Sequence, residues 1–234
     1  MSTYQPSLHL ILEIVRWEDL GWLRSGPRGS DAAQGTTVGV VVLICPDDID
    51  CSRLVDIRSP GWAAWRIVGD MLAVRRFRDG DAAVLWALNA LPNVGATADA
   101  TVPLPLPPAS EPPTAFADLA DVGSCYLDVG GEFLVAELDG NLVGMGGVLP
   151  SGDGRAEVLR VRVHPATRRI GVGRAVMAAL ELRATQLGVW QLHLDTATNQ
   201  PEAMAFYRSL GYVETGRERR AEWRWTLVYF AKDL

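Results

Sequence analysis

At 234 residues, 48% of them apolar, the chain has room for one large domain, with or without an appendage, and is too apolar to be disordered throughout. A formal net charge of −6 argues against a nucleic-acid partner, which calls for a basic footprint, whereas an acidic field does not repel small cationic molecules. Cys45, Cys51 and Cys125 form no Cys-x-x-Cys spacing, which argues against a disulfide framework and against a metal site, and points to a reducing cytoplasm.

The N-terminus has no basic n-region and carries Glu13 within its apolar stretch, unlike a secretory signal. No run approaches the ~18 apolar residues of a membrane span, so no membrane partner is expected. Leu8, Leu10, Leu12 and Ile14 alternate and predict a strand over 8–15. A Gly/Ser-rich loop follows, then an apolar strand over 38–45 and a short helix over 61–71. Residues 1–70 hold no catalytic constellation. Two readings stand for them: an accessory extension, such as a small β module, or a translated upstream region with Met71 as the natural start.

From Met71 the pattern is more regular. "MLAVRRF" alternates as a strand, and Asp81 is placed to cap a helix over 82–91 that Pro92 ends. Prolines at 103, 105, 107, 108, 112 and 113 predict a stiff, extended connection. A short helix and turn lie over 116–127. "EFLVAEL" and "NLVGMGGVLP" flank Asp139-Gly140, a hairpin signal. In "AEVLRVRVHP" (156–165), Val158, Arg160 and Arg162 alternate with Leu159, Val161 and Val163, giving a strand with two unlike faces. Val172, Val176, Leu180, Ala184 and Leu187 recur at helical spacing, with Gly188 as the stop. "WQLHLDT" is another strand. "NQPEAMAFYRSL" is a helix capped by Asn199, with Glu202 in the capping-box position and Gly211 as its end. Two strands finish the chain. Hairpins alternating with strand–helix–strand units predict an α/β fold with a mixed sheet covered by helices.

The sharpest feature is "HPATRRIGVGRAV", two glycines between a strand and a helix beside concentrated positive charge. A helix N-terminus offers unpaired N–H groups and the positive end of a dipole, and glycine lets backbone approach a ligand closely. Such a loop is a phosphate site, although Gly171-x-Gly173 alone fits a tight turn equally well. A dinucleotide-binding loop would need a third glycine where Val176 stands, and a Walker loop would need Lys-Ser/Thr after the glycines.

The surrounding residues carry a resemblance. "VRVHPATRRIGVGRAVM" resembles the acetyl-CoA motif of the GNAT N-acetyltransferases, with Val163, Pro165, Arg168, Gly171 and Gly173 in the motif positions. "LDTATNQPEAMAFYRSLGY" is similar to the second half of that signature, through Ala203, Tyr207, Gly211 and Tyr212. Arg169 stands where the loop commonly has glycine, Ile170 where a basic residue is common, and Gln200 where asparagine is common. The resemblance covers 71–234. It implies a GNAT-type αβα architecture with a splayed mixed central sheet. It also implies an acetyl-CoA co-substrate and transfer of its acetyl group to a primary amine of a small molecule, amino acid or peptide. Cofactor contacts would fall on Val161, Val163, Arg168, Arg169, Ile170, Gly171, Val172, Gly173, Arg174, Gln200 and Ala203.

The implied chemistry sets three requirements. An alkylamine with a pKa near ~10 must lose a proton, an oxyanion needs a donor, and the leaving thiolate needs a proton or hydrogen bond. The resemblance assigns the oxyanion donor to backbone N–H on the strand of Val161 and Val163, and the thiolate partner to Tyr207. Glu157 is the candidate base, with His193 and Asp195, on one face of the next strand, as the second option. Trp223 and Trp225 either line the acceptor pocket or stiffen the edge of a homodimer. A non-catalytic acyl-CoA sensor of the same fold is the alternative function.

Overall fold

A computed structural model describes residues 12–13, 41–44, 71–93 and 97–234. The helix expected over 61–71 lies outside these residues, as do most of the strands expected over 8–15 and 38–45. The parts described are β1 (Leu12–Glu13) and β2 (Val41–Ile44). They are followed by β3 (Met71–Arg76), α1 (Ala82–Ala90), β4 (Glu132–Leu138), β5 (Asn141–Gly152), β6 (Arg155–Val163), α2 (Val172–Gln186), β7 (Gln191–Ala197), α3 (Pro201–Ser209), β8 (Val213–Arg219) and β9 (Thr226–Asp233). The order expected from Met71 onward is the order observed.

The described strands join one mixed sheet in the order β1-β2-β3-β4-β5-β6-β7-β9-β8. β2 runs parallel to β3, from Val41 opposite Met71 to Ile44 opposite Val74. Two short strands before Met71 therefore continue the sheet beyond β3. The β4–β5 hairpin turns on Asp139 and Gly140, both at positive φ (50° and 78°), as the Asp-Gly signal requires.

Helices cover both faces. On one face α2 buries Val172, Val176, Met177 and Leu180 against Val143, Val158, Leu192 and Phe230, and Phe206, Tyr207 and Leu210 of α3 pack against the same cluster. On the other, Leu85 and Leu88 of α1 meet Tyr126, Phe133, Val135 and Met145. β5 admits these layers because it is short of side chains. A Cβ on Gly146 would stand 2.9 Å from Leu180, and one on Gly147 2.5 Å from the Tyr126 ring. The "GMGG" run is thus a packing device for both layers.

Two expected helix caps are corrected. Asp81 sits at the N-cap of α1 but makes no cap bond to it. Its oxygens are taken by Arg75, at 2.7 and 2.8 Å, and by the Arg78 N–H. Asn199 does not cap α3 and its capping box with Glu202 does not form. The helix starts one residue later, with Gln200 as N-cap and Pro201 in the first turn. Proline has no N–H to be capped and its φ is already helical, so the start shifts to it. Gly188 (φ 80°) and Gly211 (φ 88°) end α2 and α3 as expected.

The sheet opens in the middle. β6 pairs with β7 only from Arg155–Gln191 to Glu157–His193, although β6 runs on to Val163 and β7 to Ala197. Beyond His193, β7 keeps its partner β9 as far as Ala197. The two halves of the sheet therefore diverge past Glu157. This is the expected splay.

Candidate active site

The strict alternation expected along β6 is broken by a bulge. Gly147 pairs with Leu159 and Met145 with Arg162, so Gly146 faces two residues, and Arg160 takes φ 56°. The bulge resets which face each side chain joins. Val158 lies on the α2 face and Leu159 on the α1 face, yet Val161 and Val163 return to the α2 face. Arg162, opposite Met145, lies on the α1 face, where its Nη2 stands 3.5 Å from Asn89 Oδ1 of α1.

Arg160 is held by a partner the sequence did not reveal. It donates twice to Asp118, at 2.8 and 3.0 Å, and its guanidinium lies 4.2 Å from the centre of the Phe116 ring. The Tyr126 hydroxyl donates to the same carboxylate at 2.6 Å. Burial opposes ionisation of Asp118, but these hydrogen bonds hold its pKa below the ordinary carboxylate range. The segment 116–120 is thereby pinned beside the splay.

The glycine loop follows β6. Its N–H groups become intrahelical only at Ala175, which donates to the Gly171 carbonyl at 3.0 Å. Those of Val172, Gly173 and Arg174 precede it and face outward from the start of α2. Gly171 takes φ 101°, with nothing within 4 Å of where a Cβ would be, so the approach is open. A Cβ on Gly173 would stand 3.3 Å from both Phe206 and Val163, so this glycine lets α3 and β6 close around the helix start. Arg169 takes φ 69°, the conformation that makes glycine common there.

The other expected contacts divide. Val161 and Val163 are half-buried; Val172 is buried; Arg169, Ile170 and Arg174 are exposed. Arg168 turns inward instead of toward a phosphate, donating to the Val163 carbonyl at 3.2 Å and the Thr97 carbonyl at 2.8 Å. Buried His164 helps to fasten the same connection. Its Nδ1 accepts from the Ala166 N–H and its Nε2 lies 3.1 Å from the Pro103 carbonyl. Burial holds the His164 pKa below its ordinary value. Gln200 accepts from the Thr196 hydroxyl at 3.3 Å, and Ala203 lies half-buried in the first turn of α3.

Tyr207 packs its ring among Phe206, Tyr212 and Phe230, with centroids 5.4 to 6.4 Å away. Its hydroxyl makes no hydrogen bond among the described residues. Burial first, and the Asp195 carboxylate second, push its pKa up to about 12, against the pull of Arg162. Tyr207 thus feels β6 and β7 together, across the gap between them. Asp195 is exposed, yet the desolvation of its carboxylate beside the sheet raises its pKa above the ordinary carboxylate range, against the pull of Arg160.

Glu157 sits at the last β6–β7 pair, half-buried, opposite His193. With Leu192 and Leu194 turned to the α2 face, His193 and Asp195 share the α1 face with Glu157. His193 is engaged by the Ser151 hydroxyl at 2.8 Å. Trp223 and Trp225 stack at 5.9 Å in the β8–β9 turn, with Arg220 over Trp223. The depression lined by Asp81, Leu106, Glu137 and Asn141 lies at the β4–β5 turn, and the splay contributes nothing to it.

A diverging pair of strands beside an uncapped helix start is a recurring architecture. Residues 100–212 match the model of the acetyltransferase (GNAT) family. Residues 100–212 thus carry the GNAT signature. The "N-acetyltransferase 8" of Homo sapiens is 34% identical over 116 residues, 47% of this chain and 51% of that protein. The chain spans about half the length of the curated relatives it matches. A GNAT-family acetyltransferase of Staphylococcus aureus superposes with TM-score 0.57 at 15% identity, covering 70% of this chain and 99% of that one. A Salmonella typhimurium protein solved with its cofactor acetyl-CoA superposes with TM-score 0.52 at 19% identity, over 70% of this chain and 94% of that one. These likenesses establish the GNAT fold, with its open mixed sheet. No helix among the described residues is long and apolar enough to cross a membrane.

Proposed function

We propose that the chain is an acyl-CoA-dependent N-acetyltransferase acting on a primary amine. The observation that carries this reading is the junction of two features: the outward N–H groups of Val172, Gly173 and Arg174, and the gap between β6 and β7 that begins past Glu157 and runs along β6 to Val163, before the glycine loop. The N–H groups and the open space at Gly171 suit a pyrophosphate. The gap gives an extended thiol arm a path through the sheet, past Val161 and Val163, to Tyr207. Acetyl-CoA, when bound, supplies an activated thioester.

The chain's own residues divide the remaining work. Backbone N–H on the open edge of β6 near Val161 and Val163 holds developing negative charge on oxygen. The Tyr207 hydroxyl donates a hydrogen bond to sulfur. Glu157 and Asp195, on the acceptor face, receive the amine and take its proton through water. The raised pKa of Asp195 makes it a stronger base than a carboxylate in water. Acceptors come from the α1 face where Asp195 is exposed, α2 and α3 packing on the other. The compartment we assign is the cytoplasm, on three cysteines in no paired spacing.

Calorimetric titration of the full chain with acetyl-CoA, NAD and ATP tests the reading. Selective micromolar-range binding of acetyl-CoA, lost in Gly171→Leu, where a side chain meets no protein atom within 4 Å of its Cβ, with the melting transition retained, is the expected result. Absence of acetyl-CoA binding by the wild-type chain refutes it, and binding without thiol release for any amine leaves the sensor function instead.

A further inference from the structure

Three arginines border the splay, and two are accounted for. Arg160 is paired by both its donors with Asp118. Arg168 is committed to the carbonyls of Val163 and Thr97. Arg162 is not matched. Its Nη1 is buried and makes no hydrogen bond, and its Nη2 reaches only Asn89 Oδ1, at the outer limit of 3.5 Å. No carboxylate pairs with it among the described residues, and its charged neighbours Arg160 and Arg168 share its sign.

A guanidinium placed there is costly unless something completes it. Burial penalises its charge, the neighbouring arginines add repulsion, and a buried donor without an acceptor loses its hydration unreplaced. The deficit has a direction. It is an anion with acceptor oxygens, arriving from the α1 face, close enough to Tyr207 for the two groups to interact electrostatically. Guanidinium is a fork that fits a carboxylate in two-point contact. Asp195 lies within the same electrostatic reach of Tyr207, on the neighbouring strand and the same face as Arg162; it is exposed and makes no hydrogen bond among the described residues. One positive and one negative group, both without hydrogen-bonded partners of opposite charge, flank the hydroxyl nearest the chemistry.

We propose that the acceptor is an α-amino acid, bound with its α-carboxylate on Arg162 and its amine toward Asp195 and Glu157. This rests on the acetyltransferase reading and narrows its acceptor class. A zwitterion satisfies both charges at once. A neutral amine, or a peptide N-terminus without a nearby carboxylate, leaves Nη1 of Arg162 buried and unmatched.

The test pairs acceptors that differ only at the carboxylate: L-phenylalanine with L-phenylalaninamide, and further amino acids with their amides. Thiol release from acetyl-CoA by the full chain is expected to favour the acids by about ten- to a hundredfold in kcat/KM. Arg162→Met is expected to raise KM for the acids and erase the preference while acetyl-CoA binds as before. Because binding does not need turnover, calorimetry of the CoA-loaded chain with N-acetyl-L-phenylalanine and its amide gives an independent readout, and the wild-type comparison needs no variant. Equal turnover or binding of acids and amides overturns the proposal. So does loss of acetyl-CoA affinity in Arg162→Met with folding intact, which would assign the guanidinium to the cofactor. Failure of the wild-type chain to bind acetyl-CoA would instead remove the acetyltransferase reading beneath it.

Discussion

At the scale of single residues, Tyr207 decides between proton transfer and hydrogen bonding. Its pKa of about 12 lies ~3.5 units above an ordinary thiol, so giving its proton to a thiolate costs roughly 5 kcal/mol. A hydrogen bond to sulfur needs no such transfer. Tyr207→Phe is therefore expected to lower kcat by about ten- to a hundredfold with KM little changed. The wild-type pH–rate profile should show no alkaline limb from this group below pH ~11. Steady-state kinetics across pH checks both.

Asp195 allows a second test, on stability. Its pKa in the folded chain is raised, so the folded state binds more protons than the unfolded one between the two values. Stability is then lost as pH rises through that window, and ionised Asp195 burdens the fold at neutral pH. Asp195→Asn should raise the denaturant midpoint at pH 7, and the gain should shrink toward pH ~4, near the unfolded value. Denaturation at pH 7, 5 and 4 follows the trend. The candidate site is only partly legible at this scale. Gly171, Gly173 and Tyr207 stand in local motifs. Arg162 carries no signal of its own, because what marks it is a partner it lacks.

At the scale of elements, β6 departs most from its sequence pattern. Six residues alternate in type, but the bulge at Arg160 moves Val161 and Val163 to the α2 face and sends Arg162 to the other. Alternation in sequence cannot reveal where a strand gains a residue over its partner, since the partner sets the count. The N-cap of α3 lies one residue beyond Asn199 for a related reason. Asn199 and Pro201 both suit a helix start, and geometry chooses. β5 shows the opposite case, in which a weak strand former is required. Gly147→Ala would bring a Cβ to 2.5 Å from Tyr126 and 2.8 Å from Phe133, both fully buried. The expected loss is about 1–3 kcal/mol by chemical denaturation, with the far-UV spectrum unchanged.

At the scale of the whole molecule, one carboxylate ties three elements. Glu132 of β4 has no exposed surface and accepts from Arg76 of β3 at 2.7 and 2.8 Å and from Arg183 of α2 at 2.9 Å. Removing it leaves two guanidinium groups around a buried void. Glu132→Ala is expected to cost about 3–5 kcal/mol, measured as a fall in the denaturant midpoint. A second set of ties holds the connection after α1 over the end of β6. They are the Asp99 N–H to the Pro165 carbonyl at 3.1 Å, Arg168 to Thr97, and His164 to Pro103. The stiff proline-rich segment predicted from sequence is thus anchored at one end to the glycine-loop region.

The sequence by itself determined the order of elements after Met71, the Asp139-Gly140 turn, the stops at Gly188 and Gly211, and the glycine loop with its family likeness. Each is encoded within a short window, where backbone preference and hydrophobic period act locally. Only the tertiary structure decided where β6 leaves β7, which face Arg162 occupies, which arginines are already paired and what surrounds Asp195. Those outcomes rest on contacts between distant residues: Arg160 with Asp118 across 42 positions, Arg168 with Thr97 across 71, Arg76 with Glu132 across 56. Charge balance at the site is a property of that packing, and no local pattern records it.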